Sequence, residues 1–304
     1  MKRLQAALAF VLILWAAPAL AGPLPVMVSV APQKYVLEKL AGPLVEISVM
    51  VAPGADAHTF EPKPSQMAQA AKAKLYFAQG VEFEHAWLPK LSKTNPGMTV
   101  VNTLEGIELM PMAGHDDDHG HDKHAKDKHA KGKHAKDKHE DLEMDVHTWN
   151  ALSLMKRQAE TMAHALGKAD PENAQVYNSN LKAFSDELAA LDSQIRALLK
   201  GVPAGAEFIV FHPAWAYFAR EYGLKEVAIE SGGKEPSPRQ LKELIEHARE
   251  TKAKAIFVQP QFSRKTAQTL ADAIGAKLVP ADDLAPDWAA NMLAVAKALA
   301  DALK

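Results

Sequence analysis

The chain has 304 residues, 35 basic and 37 acidic side chains, 48% hydrophobic and 24% charged residues, and no cysteine. A chain of this size can bury about three quarters of its unfolded surface, so it needs no disulfides and has room for two domains. The lack of Cys excludes a disulfide framework, a thiolate metal site and a thiol nucleophile. The near-balanced charge gives no argument for nucleic acid or an anionic membrane surface. Imidazole and carboxylate chemistry stays open, with 13 histidines in the chain.

Lys2 and Arg3 precede an apolar run from Leu4 to Trp15, and Ala19-Leu-Ala21 follows before Gly22. This is the pattern of a cleavable secretory signal over residues 1–21. The run is shorter than the roughly 20 residues of a membrane span. With no Cys to carry a lipid, the expected product is a periplasmic protein that is not lipid-anchored.

The following stretch, 22–169, alternates short β-branched runs with helical spacing. Val26–Val30, Val45–Val51, Leu75–Ala78 and Thr99–Val101 read as strands, and Lys34–Leu40 and Ser65–Ala73 as helices. Residues 201–304 repeat the logic. Glu207–Phe211, Glu226–Ile229, Ala255–Val258 and Lys277–Val279 read as strands, with helices over Ala214–Tyr222, Pro238–Lys252, Ser263–Ile274 and Pro286–Leu303. Alternation of this kind implies βαβ units, so the expected fold class is α/β, with two lobes that each hold a mostly parallel sheet flanked by helices. Between them, Tyr177, Leu181, Phe184, Leu188, Leu191, Ile195 and Leu198 form one apolar face at three- and four-residue spacing. That predicts a single long, rigid linking helix within 170–200, about 45 Å in length, with Asp170 as its N-cap and Pro171 at its first position.

Residues 115–143 are almost all His, Lys, Asp, Glu, Ala and Gly and offer no apolar face, so the expectation is a disordered, His-rich loop. It carries seven histidines: His115, His119, His121, His124, His129, His134 and His139. The last four recur every five residues, an advance of about 500° on a helix, so they cannot share one face. They are expected to act as auxiliary weak metal ligands.

Of the six remaining histidines, three stand at chemically suggestive places. His58 follows the second expected strand, and His212 directly follows the strand ending at Phe211. These are C-terminal strand ends, where open α/β sheets place ligands. His147 lies in Asp145-Val-His-Thr-Trp, where the loop returns to patterned sequence, and Asp282 and Asp283 follow the last expected strand. Four segments thus offer a His₃Asp set of His58, His147, His212 and Asp282, a donor set suited to tetrahedral zinc. Asp283 leaves open which aspartate faces the ion. There is no H-E-x-x-H, G-x-S-x-G or P-loop, so no catalytic residue is assigned.

At these segments the chain resembles the zinc- and manganese-binding solute receptors of bacterial ABC importers, and most closely their zinc-uptake branch. The resemblance is carried by Pro53-Gly-Ala-Asp-Ala-His-Thr-Phe-Glu-Pro-Lys-Pro-Ser, Asp145-Val-His-Thr-Trp, Phe211-His-Pro-Ala-Trp-Ala-Tyr-Phe-Ala-Arg-Glu-Tyr-Gly, Glu235-Pro-Ser-Pro-Arg-Gln-Leu, Ile256-Phe-Val-Gln-Pro-Gln-Phe-Ser and Asp282-Asp-Leu. It implies two α/β lobes joined by a long helix with metal between them. His58, His147 and His212 match the family's imidazole ligands, and Asp282 matches its carboxylate position. His212 in place of a carboxylate points to zinc rather than manganese. Gln259 and Asp283 depart from the family's usual Glu and Pro. The implied function is a non-enzymatic, monomeric periplasmic receptor that carries Zn²⁺ to an ABC membrane permease. The alternatives are a manganese or iron receptor, a zinc-dependent hydrolase, or a metal buffer without a transporter. Ligand histidines must be neutral, so binding is expected to weaken below about pH 6.5.

Overall fold

The computed structural model describes residues 22–52, 54–112, 144–230, 234–262 and 264–304. The expected signal over 1–21 and the His-rich segment 115–143 lie outside the described residues. The first lobe contains β1 (Leu24–Val28), α1 (Ala31–Ala41), β2 (Val45–Val49), α2 (Pro64–Ala70), β3 (Leu75–Ala78), α3 (Glu82–Thr94), β4 (Thr99–Asn102) and α4 (Leu152–Ala169). A long α5 (Ala174–Leu199) leads to the second lobe. That lobe contains β5 (Glu207–Val210), α6 (Ala216–Tyr222), β6 (Lys225–Ala228), α7 (Pro238–Glu250), β7 (Ala255–Val258), α8 (Arg264–Ile274), β8 (Lys277–Pro280) and α9 (Trp288–Leu303).

Each lobe has one four-stranded sheet, ordered β2-β1-β3-β4 and β6-β5-β7-β8. Within the two sheets every strand pairing is parallel, with Val26 opposite both Ile47 and Leu75, and Ile209 opposite both Val227 and Ile256. The two-lobed α/β expectation is met. In both sheets the strand order reverses next to the first strand of the lobe, which opens a crevice at the carboxyl ends.

Strand periodicity explains the layering. Phe208 and Val210 join a core that includes α5 and α9, while Ile209 and Phe211 point into a second core with Ala267, Leu270 and Ala271 of α8. Successive side chains on β5 thus serve opposite faces, so the sheet is covered on both. The larger core continues into the first lobe through Val26, Val28 and Phe77 without interruption.

The linking helix is central to that continuity. It packs against α1, α4 and α9 and buries Tyr177, Phe184, Leu188, Leu191, Ile195 and Leu199. Its start differs from expectation. Pro171–Asn173 forms a 3-10 turn, and the Asp170 carboxylate accepts hydrogen bonds from Asn173 Nδ2 (2.7 Å) and Tyr177 Oη (2.6 Å) rather than capping backbone N–H groups. The two side-chain donors outcompete the usual cap geometry.

The expected elements omit α3 and α4. Pro89 lies inside α3, where it removes one backbone donor and normally ends a helix. Here Pro89 and His85, four residues earlier, are both exposed, so water can satisfy the released carbonyl. Helix α4 buries Leu152, Met155, Ala159, Met162, Ala163 and Leu166, an ordinary helical stripe that Lys, Arg and Glu interrupt on the outer face. Gly223 (φ 69°) and Gly275 (φ 73°) stop α6 and α8 in the left-handed region, as their positions suggest.

Two tryptophans join the lobes, and one of them, Trp149, lines the cavity described below. Trp149 donates its Nε1–H to Asp283 O (2.7 Å), and Trp288 donates to Trp149 O (2.9 Å). The Trp288 ring also meets Tyr35 of α1 at 5.9 Å between centroids.

Candidate metal centre

Strand ends bring the histidines together. His58 lies beyond β2 in a turn held by Asp56, whose carboxylate accepts from His58 N and from Thr59 Oγ1, both at 2.9 Å. An aspartate two residues before the amide it captures is an Asx turn, and it fixes the backbone ahead of the imidazole. His212 follows β5. Its backbone is clasped by Gln259 beyond β7: His212 N donates to Gln259 Oε1 (3.3 Å) and Gln259 Nε2 donates to His212 O (2.8 Å). His147 precedes the 3-10 turn Thr148–Asn150, and Asn150 N donates to His147 O (3.1 Å).

The segment that carries His147 is held by Gln79, which is fully buried beyond β3. Gln79 Nε2 donates to Val146 O (3.0 Å) and Thr148 Oγ1 (3.1 Å), one on each side of His147. Its Oε1 accepts from Gln33 Nε2 and Thr103 Oγ1, both at 3.1 Å. Every polar atom of this buried amide is therefore used, and it holds the backbone on both sides of His147.

The three imidazoles converge through the same atom. Nε2 of His212 lies 3.0 Å from Nε2 of His58 and 3.3 Å from Nε2 of His147. Each Nδ1 faces a carboxylate: Glu82 for His58 (2.7 Å), Asp145 for His147 (2.8 Å) and Glu230 for His212 (2.5 Å). An Nδ1–H that donates to a carboxylate leaves Nε2 as the donor atom toward a cation and raises its basicity. Among the described residues, these three histidines are the cluster able to hold a metal ion.

The spacing fits a small tetrahedral cation. Zinc–nitrogen bonds of about 2.0–2.1 Å at tetrahedral angles separate two nitrogens by about 3.3–3.4 Å. The observed separations are that value and slightly less. The cavity between the rings has a volume of about 10 Å³, room for one water-sized group.

Electrostatics divides the histidines. Burial pulls His58 down, but the hydrogen bond and charge of Glu82, with Asp56 and Asp283, raise it to about 9. His212 falls well below 6.5, first through burial and then through repulsion from His147 and His58. A protonated His58 can donate from Nδ1 to Glu82 and from Nε2 to neutral His212. The proton on that second bond occupies the place a cation would take. Burial pushes Glu230 up to about 7 and Asp283 up to about 6.

The two aspartates differ in their surroundings. Asp282 Oδ1 accepts from Gln261 Nε2 (2.7 Å) and from Leu284 N (3.0 Å), so this carboxylate secures the loop after β8. Asp283 lines the cavity beside the histidines and is 5% exposed, with Oδ1 lacking a hydrogen-bond partner. Of the two aspartates that the sequence leaves open, Asp283 is the one on the lining of this cavity. The local cause is the turn, in which Asp282 captures an amide two residues ahead and aims Asp283 inward. Glu82, Asp145, Glu230 and Gln79 also went unmarked in the sequence. Only Asp145, two residues before His147, carried a local signal.

A two-lobed α/β fold with three convergent imidazoles in its crevice defines a metal-binding solute receptor. The family described as ZnuA, zinc-uptake complex component A, periplasmic, matches residues 26–302. The high-affinity zinc uptake system protein ZnuA of Bacillus subtilis is 34% identical over 76% of this chain and 69% of its own length. PsaA of Streptococcus mitis, named as a manganese ABC transporter substrate-binding lipoprotein, is 27% identical over 77% of this chain and 72% of its own. A crystal structure of ZnuA superposes with a TM-score of 0.81 at 38% identity, covering 93% of this chain and all of that one. The chain belongs to this family of metal ABC transporter substrate-binding proteins. Members of the family are solute-binding receptors rather than enzymes. No helix among the described residues is long and apolar enough to cross a membrane.

Proposed function

We propose that this protein is a periplasmic zinc receptor that captures Zn²⁺ between its lobes and delivers it to an ABC import permease. The observation that carries this reading is the three Nε2 atoms, 3.0 and 3.3 Å apart and each backed by a carboxylate. Three imidazoles favour zinc, whereas manganese prefers oxygen donors and more of them. Asp283 Oδ1 or one water supplies the fourth position.

The lobes, 22–169 and 201–304, act about the helix that joins them. The core shared across α5 and the Trp149–Trp288 hydrogen bonds support small lobe movements rather than wide hinge closure. Export by a cleavable leader over 1–21 and a soluble, monomeric, lipid-free mature protein complete the reading. It is supported by the leader-like sequence and by a chain with no Cys to carry a lipid. The seven histidines from His115 to His139 serve as weak auxiliary ligands that raise the local zinc concentration, on the strength of their density in sequence.

Metal analysis of the purified protein, followed by competitive titration with zinc and manganese, tests the reading. One equivalent of zinc that manganese does not displace is the expected result. Tighter binding of manganese would overturn the metal assignment while leaving the receptor class intact.

A further inference from the structure

An aromatic ring, Phe262, forms part of the cavity wall beside His212. The Phe262 ring stacks on the His212 imidazole with centroids 4.7 Å apart and 21° between planes. It also meets Phe211 at 5.7 Å. The ring is held there by its own chain, since Phe262 N donates to Gln259 O (3.4 Å), and the Gln259 side chain is the clasp on the His212 backbone. Imidazole, clasp and aromatic wall therefore form one unit on the second lobe.

We propose that Phe262 is a specificity-determining residue: by closing the His212 side of the cavity with a ring that offers no donor, it limits the bound cation to one ligand beyond the three histidines. The cavity is small, about 10 Å³, and its lining includes Asp283, whose Oδ1 has no hydrogen-bond partner, so the three imidazoles and one such oxygen make a four-ligand set. A four-coordinate ion such as zinc is complete with that set, while an octahedral ion such as manganese lacks two ligands. Stacking on His212 also fixes the tilt of an imidazole whose Nδ1 is already held by Glu230. The discrimination thus comes from excluded water as well as from the choice of nitrogen donors.

This inference rests on the zinc-receptor reading and deepens it. The test loads the full-length mature protein with Co²⁺, whose visible band is intense when four-coordinate and weak when six-coordinate. Wild type is expected to show the intense band. Phe262→Ala is expected to lose at least half its intensity and to narrow the zinc-over-manganese preference by about tenfold. Phe262→Leu, which refills the space with another donor-free side chain, is expected to restore most of both. An unchanged band and unchanged preference in Phe262→Ala would overturn the proposal. A weak band in wild type that still binds zinc tightly would also overturn it and leave the receptor reading standing. Failure of the wild type to bind zinc would instead remove the reading beneath it.

Discussion

His58 and His212 stand 154 residues apart in sequence, yet their Nε2 atoms lie 3.0 Å apart across the crevice. Each comes from a different sheet, so this distance exists only while both lobes are folded and correctly apposed. It makes the site a sensor of lobe arrangement, and a cation that bridges the two nitrogens ties the lobes together.

Removing one of the three imidazoles should therefore weaken binding severely. His147→Ala is expected to lower zinc affinity by more than the roughly 100-fold that loss of a hydrogen-bonded partner costs. It should also abolish most of the zinc-induced stabilisation, which mass action sets at about 4 kcal/mol for a thousandfold excess over Kd and a thermal scan reads as a shift in Tm. Calorimetry and a thermal scan check both; unchanged values would remove His147 from the ligand set.

The carboxylates behind the ligands should matter less, but measurably. Glu230→Gln keeps the volume beside His212 Nδ1 and removes the charge. Zinc affinity is expected to fall about 10–100-fold while the fold is retained. Circular dichroism and competition against a chelating dye separate the two effects.

The raised His58 changes the expected pH profile. With its pKa raised to about 9, by Glu82 against the effect of burial, His58 carries a proton at neutral pH that zinc must displace. Below about pH 9, affinity should rise about tenfold per pH unit and then level off. The sign follows because the metal-free state binds the proton and the zinc-bound state does not. Titration in buffers of different ionisation enthalpy should show about one proton released per zinc at pH 7. A profile that breaks near pH 6.5, the value for an ordinary histidine, would count against the Glu82–His58 pair as the source.

The shared core predicts a stability effect far from the metal. Phe184 of α5 is 2% exposed and packs edge-on against Tyr35 of α1, at 6.3 Å between centroids. Phe184→Ala should cost about 3–5 kcal/mol in denaturant unfolding. Zinc stoichiometry should stay at one per chain.

Deleting residues 115–143 should leave one tight zinc site and remove additional weak ones, as counted by calorimetry. A single site both before and after deletion would make the His-rich segment a spacer.

Much of this architecture is legible in the amino-acid order. Hydrophobic alternation defined two α/β lobes, and the stripe from Tyr177 to Leu198 defined the helix between them, because burial periodicity is a local property of the chain. The positions of His58 and His212 after strands already pointed to the crevice, since parallel sheets open at their carboxyl ends. Local reading failed where side chains competed for a cap: Asp170 turned to Asn173 and Tyr177 instead of backbone amides. That Asp283 lines the cavity while Asp282 captures the Leu284 amide is a one-residue difference in a turn, and it is visible only in the folded chain. The tertiary structure alone placed Glu82, Asp145 and Glu230 behind the rings and Phe262 beside them. Their roles depend on distances of a few ångströms between segments up to 154 residues apart, and no spacing along a chain encodes those.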